Sequence, residues 1–150
     1  MDFTYKVENG DEFNFWDWRG FKIFWSVKGK ENKYPIILLH GFGASSKHWR
    51  KNSNYFAKKG YSVYSIDLIG FGNSSQPGTR EIGKLDNGVW CNQVNDFIQD
   101  VIRPKTSNKI ILIGNSLGSL VALTCAVYIK NEIASVIASP LPDPLVINKK

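Results

Sequence analysis

Histidine is scarce in this chain. Its 150 residues contain His40 and His48 and no other. Any reaction that needs an imidazole base has only those two rings to draw on. Cysteine is equally rare, with Cys91 and Cys125 at a spacing that fits no metal or redox motif. That excludes a zinc ribbon or a disulfide framework and leaves two buried thiols in a reducing compartment as the expectation. No apolar run approaches the roughly 18 residues of a membrane span. The opening residues, Met-Asp-Phe-Thr-Tyr-Lys, lack the apolar core of a signal peptide. No membrane span and a cytoplasmic location are therefore expected. No Gly-Lys-Ser or Gly-Lys-Thr occurs, which excludes a phosphate-binding P-loop. No metal and no cofactor is expected.

Charge is not strongly one-signed either. Nineteen Lys and Arg against 13 Asp and Glu give a net charge of +6. The mild basic cluster at Lys47, Arg50, Lys51, Lys58 and Lys59 accompanies no nucleic-acid motif. It reads as the solvated face of one helix, and no nucleic-acid partner is expected.

What is present is a regular alternation. Phe13 to Trp18 and Phe21 to Val27 are aromatic-rich runs on either side of Arg19-Gly20, the spacing of a β-hairpin. Pro35 then opens Ile-Ile-Leu-Leu, an uninterrupted apolar strand of the kind buried on both faces of a parallel sheet. A helix capped by Ser45 or Ser46 is predicted to run to about Lys59, followed by a strand over Tyr61 to Asp67. Leu68 to Gly88 reads as loop. Trp90, Val94, Phe97, Ile98 and Val101 predict a helix over 89–102. A strand over Lys109 to Gly114, a helix over Leu117 to Lys130 and a strand over Ile133 to Ser139 complete the pattern. Strand and helix in alternation predict the α/β class: a β-hairpin followed by parallel strands with right-handed crossover helices.

Ser116 lies inside Gly114-Asn115-Ser116-Leu117-Gly118, where that strand meets that helix. This is the setting of a nucleophile elbow, a sharp turn that lifts a serine hydroxyl above the sheet. Gly114 and Gly118 remove side chains where the backbone doubles back. An ordinary strand-to-helix turn with a serine cap is the competing reading. The second element is His40-Gly41-Phe42-Gly43, directly after the first parallel strand. Acyl transfer at a serine needs two amide donors for the oxyanion, and Leu117 and Phe42 are the candidates. His40, Gly41 and Gly43 would support that loop. A dinucleotide loop is the competitor, but Gly41-x-Gly43-x-x-Ser46 lacks the third glycine.

These blocks together resemble the α/β-hydrolase superfamily. The resemblance is carried by Ile36 to Gly43 (IILLHGFG), Gly60 to Ser74 (GYSVYSIDLIGFGNS) and Ile110 to Gly118 (IILIGNSLG), in the family's order. It implies the N-terminal portion of that fold and a serine hydrolase acting on a small apolar ester-like substrate. Asp67 to Ser74 is similar to a family loop that is usually structural. Trp18-Arg19-Gly20 and Ala44 to Trp49 resemble the branch of pheophytinase-like esterases from photosynthetic organisms. Haloalkane dehalogenases share the frame but carry Asp where this chain has Ser116. Asn115 replaces the His that many esterases place before the serine.

The resemblance implies an acid and then a histidine after the nucleophile. Glu132 and Asp143 follow Ser116, but no histidine does. Asp143 stands where some family members carry their acid, and it also reads as a polar residue in a Pro-rich turn. Glu132 precedes the last strand, at the wrong end for the site. Residues 1–150 are thus expected to form an incomplete core domain, ending where a cap domain begins. Two functions remain open. One is a serine hydrolase completed by further sequence or a complementing C-terminal chain, the 150 residues alone being inactive. The other is a non-catalytic remnant or binding module on the same fold.

Overall fold

The computed structural model describes residues 6–8 and 11–140. Strand β1 (Lys6–Glu8) pairs antiparallel with β2 (Asp11–Trp18), which pairs with β3 (Phe21–Lys28). Arg19 and Gly20, with φ of 56° and 84°, make the two-residue turn between β2 and β3. Two consecutive left-handed residues match the twist of a hairpin, so the expected element forms where Arg19-Gly20 placed it. Four strands then run parallel: β4 (Tyr34–Leu39), β5 (Tyr61–Ile66), β6 (Ile110–Gly114) and β7 (Ile133–Ala138). The order across the seven-stranded sheet is β1-β2-β3-β5-β4-β6-β7, with β3 antiparallel to β5.

The order reverses at β4. From β4 the chain crosses to β5 on one side, then returns past β4 to β6 on the other. Loops leaving the C-terminal ends of β4 and β6 therefore part in opposite directions and open a crevice, the usual place for a ligand in such sheets.

Both faces of the sheet are covered. Ile36, Leu38, Val63 and Ile113 pack with Trp49 beside α1 (Arg50–Lys58). Ile37, Leu39, Tyr64, Ile66 and Leu112 share the larger core with Trp16, Trp25, Phe97 and Val121. That core lies under α3 (Asn87–Phe97) and α4 (Leu117–Tyr128). The hairpin is docked by polar contacts as well. The indole N–H of Trp16 donates to Asp100 at 3.1 Å, and that of Trp18 to Asp96 at 2.8 Å. The basic cluster on the first helical segment is solvent-exposed at Lys47, Arg50, Lys51, Lys58 and Lys59.

Several boundaries differ from the sequence expectation. The first helix is split into a 3-10 turn, Ser46–Trp49, and α1. Ser45 makes no cap, because a carboxylate 21 residues away does that work: Asp67 accepts the Ser46 amide at 2.6 Å. A short helix, α2 (Thr79–Ile82), interrupts the expected loop, with Glu81 reaching back to the Gly78 amide at 2.7 Å. Helix α3 begins two residues early because Asp86 caps it at the Val89 amide. It then widens into a π-turn over Ile98–Ile102. No helix among the described residues is long and apolar enough to cross a membrane.

Candidate active site

The turn from β6 into α4 is built by close backbone approach. A methyl group on Gly118 would overlap the carbonyls of Leu39 and His40, and one on Gly114 would overlap the backbone of Gly118. Only hydrogen at both positions lets β6, α4 and the end of β4 meet. Between them Ser116 has φ 51° and ψ −113°, a left-handed conformation rare for a residue with a side chain. Such strain costs about 1–3 kcal/mol and persists only where its surroundings hold it. The holders are visible. Asn115 donates its amide to Leu39 at 3.1 Å and its side chain to Ser139 at 2.9 Å. Ser116 donates its amide to Pro140 at 3.0 Å. The Ser119 hydroxyl donates to Gly114 at 2.9 Å and accepts from the Ser139 amide at 3.0 Å.

Ser116 stands half-buried at the N-terminus of α4, and its hydroxyl does not cap that helix. The first-turn amides and the aligned peptide dipoles there favour developing negative charge.

The β4 loop rests on this turn. A methyl on Gly41 would stand 3.1 Å from Asn115 Oδ1 and 3.4 Å from Ser116 Cβ. Glycine at position 41 thus lets the β4 loop approach the serine closely. Phe42 is exposed, and its ring meets Phe71 edge-on at 5.3 Å. Phe71 also touches His40 and Trp90, at 5.6 and 6.0 Å between ring centres. Phe42, Phe71, His40 and Trp90 thus form one aromatic cluster across the β4 loop, the β5 loop and α3. Phe71 stands between Gly70 and Gly72 as Phe42 stands between Gly41 and Gly43.

His40 is fully buried, and both ring nitrogens are engaged. The Leu68 amide can only donate, so Nε2, at 3.0 Å, accepts. The proton is therefore on Nδ1, which donates to the Gly41 carbonyl at 2.8 Å. Burial holds the ring's pKa below its ordinary value, with the Gly41 bond opposing that shift only in part. A neutral imidazole with no free lone pair is a clamp between two loops, not a proton acceptor. His48 is exposed and meets the Trp49 ring edge-on at 5.0 Å.

Asp67 completes the scaffold. Its carboxylate accepts from Ser46 and from Asn73 at 2.8 Å, and its carbonyl accepts from the Ser74 hydroxyl at 2.6 Å. Ser74 in turn accepts from Phe24. Gln93 accepts from Ile69 at 3.0 Å. These buried bonds fix the loop after β5 beneath the β4 loop. Glu132 lies at the opposite end of the sheet and pairs with Arg103, whose Nε is 2.7 Å away. Asp143 lies outside the described residues. No metal-binding cluster of His, Cys, Asp and Glu occurs among the described residues.

The family model of the α/β-hydrolase fold matches residues 34–146. Epoxide hydrolase 4 of Mus musculus is 32% identical over 130 residues, 87% of this chain and 34% of the relative. Putative esterase/lipase 2 of Mycoplasma genitalium is 30% identical over 132 residues, 87% of this chain and 47% of the relative. Among solved structures, a bacterial membrane phospholipase A superposes with a TM-score of 0.76 at 26% identity, covering 86% of this chain and 39% of that one. The thioesterase domain of the curacin biosynthetic pathway reaches 0.79 at 24% identity, over 93% and 51%. The chain spans about a third to a half of the length of these relatives. With that match over β4 to β7 and this topology, the chain belongs to the α/β-hydrolase family.

Proposed function

We propose that this chain carries the nucleophile and oxyanion side of a serine hydrolase for carboxylic esters. The observation that supports it most is the left-handed backbone at Ser116 between two glycines that admit no side chain. In this reading Ser116 Oγ attacks the ester carbonyl carbon while its proton passes to a base. The oxyanion takes hydrogen bonds from the amides of Leu117 and Phe42. The acyl–oxygen bond then breaks, the alcohol leaves with the proton, and water releases the acid from the serine ester. Gly41, Gly43, Gly114 and Gly118 permit the geometry, and His40 holds the β4 loop. The Phe42 and Phe71 rings suit a small apolar substituent on the substrate.

The base is not His40, whose lone pair is taken. We assign the base, and an acid for which Asp143 is a candidate, to sequence beyond the match or to a complementing C-terminal chain. Residues 1–150 then act as a core that is inactive alone, in the cytoplasm, where its two thiols stay reduced. Kinship with pheophytinase-like esterases rests on Trp18 to Gly20 and Ala44 to Trp49.

Similarity to Epoxide hydrolase 4 of Mus musculus raises epoxides as substrates. Chemistry argues against them here. A serine oxygen that opens an epoxide forms an ether, which water does not cleave under conditions that hydrolyse an acyl ester. A non-catalytic binding module is the second reading, favoured by the absence of a free imidazole at the crevice among the described residues.

Added imidazole separates the two. Hydrolysis of p-nitrophenyl acetate is followed over rising imidazole, for the chain and for Ser116→Ala. The hydrolase reading predicts a Ser116-dependent increment of at least about tenfold, a fraction of the hundredfold or more that a positioned base supplies. Equal rates for the two proteins at every imidazole concentration would leave the binding module.

A further inference from the structure

At the end of the sheet away from Ser116, a polar cavity of about 400 Å³ opens beside the first residues of β4 and β5. Its charged lining comes from three places: Lys30, Glu31 and Lys33 between β3 and β4, Glu12 of β2, and Lys105 in the loop before β6. Tyr64 of β5 lines it too, in one cross-strand row with Val27 and Glu12. These segments are fastened to one another by the protein itself. The Asn32 side chain donates to the Tyr61 carbonyl at 3.0 Å, and that of Asn108 to the Lys33 carbonyl at 3.0 Å.

The charges do not cancel within the cavity. Lys30 pairs with Glu12 at 2.6 Å. That leaves Lys33 and Lys105 against Glu31, and none of these three side chains is in an ion pair among the described residues. The Lys105 ammonium lies instead over the buried rings of Trp25 and Tyr64, 5.8 and 5.9 Å from their centres. Neighbouring donors lack acceptors as well. The indole N–H of Trp25 and the side-chain amide of Asn14 are buried and unpartnered. These two residues are cross-strand partners, one row along from Glu12 and Tyr64 on the same face. Asn14 Oδ1 is unpartnered too, so donors outnumber acceptors at this corner.

From this excess of cations and donors we propose that the cavity binds a small oxyanion, a phosphate or a carboxylate, on Lys105 and Lys33. Charge-assisted hydrogen bonds from the two ammonium groups would hold it. The electrostatics run the same way. Partial burial holds the Lys105 amine below its ordinary value, and Glu12 and Glu31 offset this only in part, with Lys30 opposing them. A bound anion supplies the counter-charge that the protein withholds. Burial pushes Tyr64 up to about 12, so its hydroxyl keeps its proton and remains a donor. The site shares no residue with the Ser116 crevice and stands or falls apart from the hydrolase reading.

The test compares the folded chain at neutral pH in sodium phosphate, in sodium acetate and in sodium chloride of the same ionic strength. Thermal unfolding should move upward, saturably, in at least one oxyanion relative to chloride. The stronger arm tells phosphate from carboxylate. Lys105→Met keeps an aliphatic stem over the rings and removes the charge, so affinity should fall at least about tenfold, the worth of one hydrogen bond to a charged group. Lys84→Met, exposed and outside the cavity, should bind as the unmodified chain does. A second readout needs no variant: acetylation by N-hydroxysuccinimidyl acetate, followed at each lysine by peptide mass. Saturating oxyanion should slow Lys105 at least about threefold, the effect of half a pKa unit on the free amine, and leave Lys84 unchanged. No saturable shift in either oxyanion, undiminished affinity in Lys105→Met, or equal slowing at Lys84 and Lys105 would overturn the proposal.

Discussion

The junction of β4 and β6 and the outer edge at β7 belong to one sheet, yet they are finished to different degrees. At the junction, the polar groups of His40, Asp67 and Ser119 are buried and bonded, and glycines let three backbone segments touch. At β7, both faces are only partly covered, Ile137 is 51% exposed, and no described strand pairs with the outer edge. Leu123, Val127 and Tyr128 on neighbouring α4 are exposed as well. The difference teaches where the chain is self-sufficient. The strained serine and its two loops are held by described residues, while no described strand pairs with the outer edge of β7.

The sharpest way to break this contrast is at Gly118. In Gly118→Val the new side chain meets backbone carbonyls of Leu39 and His40, which cannot step aside. Overpacking against flexible side chains already costs about 1–3 kcal/mol. Against backbone the loss should be larger, and urea melts should show little or no native baseline. Next is Asp67→Ala, which leaves the Ser46 and Asn73 amides without their acceptor. The orphaned Ser46 amide is buried and costs about 1–3 kcal/mol, the exposed Asn73 amide less, so the urea midpoint should fall clearly.

A smaller effect comes from His40. Its folded-state pKa lies below its ordinary value of 6.5, so the unfolded chain binds the extra proton first. Stability is complete above about pH 6.5 and is lost as pH falls toward the folded pKa, with a slope of up to about 1.4 kcal/mol per pH unit. Urea melts between pH 7.5 and 5 should show that slope in the chain and lose it in His40→Gln. At β7, by contrast, Ile137→Lys should change stability by no more than about 0.5 kcal/mol. An exposed apolar edge recruits other chains, and a charge discourages it. Light scattering should therefore show less association in Ile137→Lys than in the unmodified chain.

The parts of this arrangement that were legible in the sequence are local. Apolar runs mark β4 and β6 because a strand buried on both faces is apolar throughout. Arg19-Gly20 marked the hairpin turn, and two glycines around Ser116 marked the elbow. The illegible parts span long separations. Nothing near Ser46 signals that Asp67 will cap its helix, and nothing near Trp16 signals Asp100, which is 84 residues away. Residue order places His40 at the start of the β4 loop, but only the Leu68 and Gly41 contacts show that its ring has no nitrogen to spare. In sequence, Asn115 is legible only as a departure from the His that many esterases place before the serine. Its part in fixing the elbow comes from Ser139 and Leu39, on different strands or their ends.

The central claim is that the serine side of the site is built within residues 1–150 and the base is not. Steady-state hydrolysis of a p-nitrophenyl ester by the purified chain, without added imidazole, tests it most directly. The account predicts at most the residual acceleration of a triad-deleted enzyme, roughly three to four powers of ten over water, and the same rate in Ser116→Ala. Robust turnover that Ser116→Ala abolishes would contradict it, since a working base would then have to lie within the 150 residues.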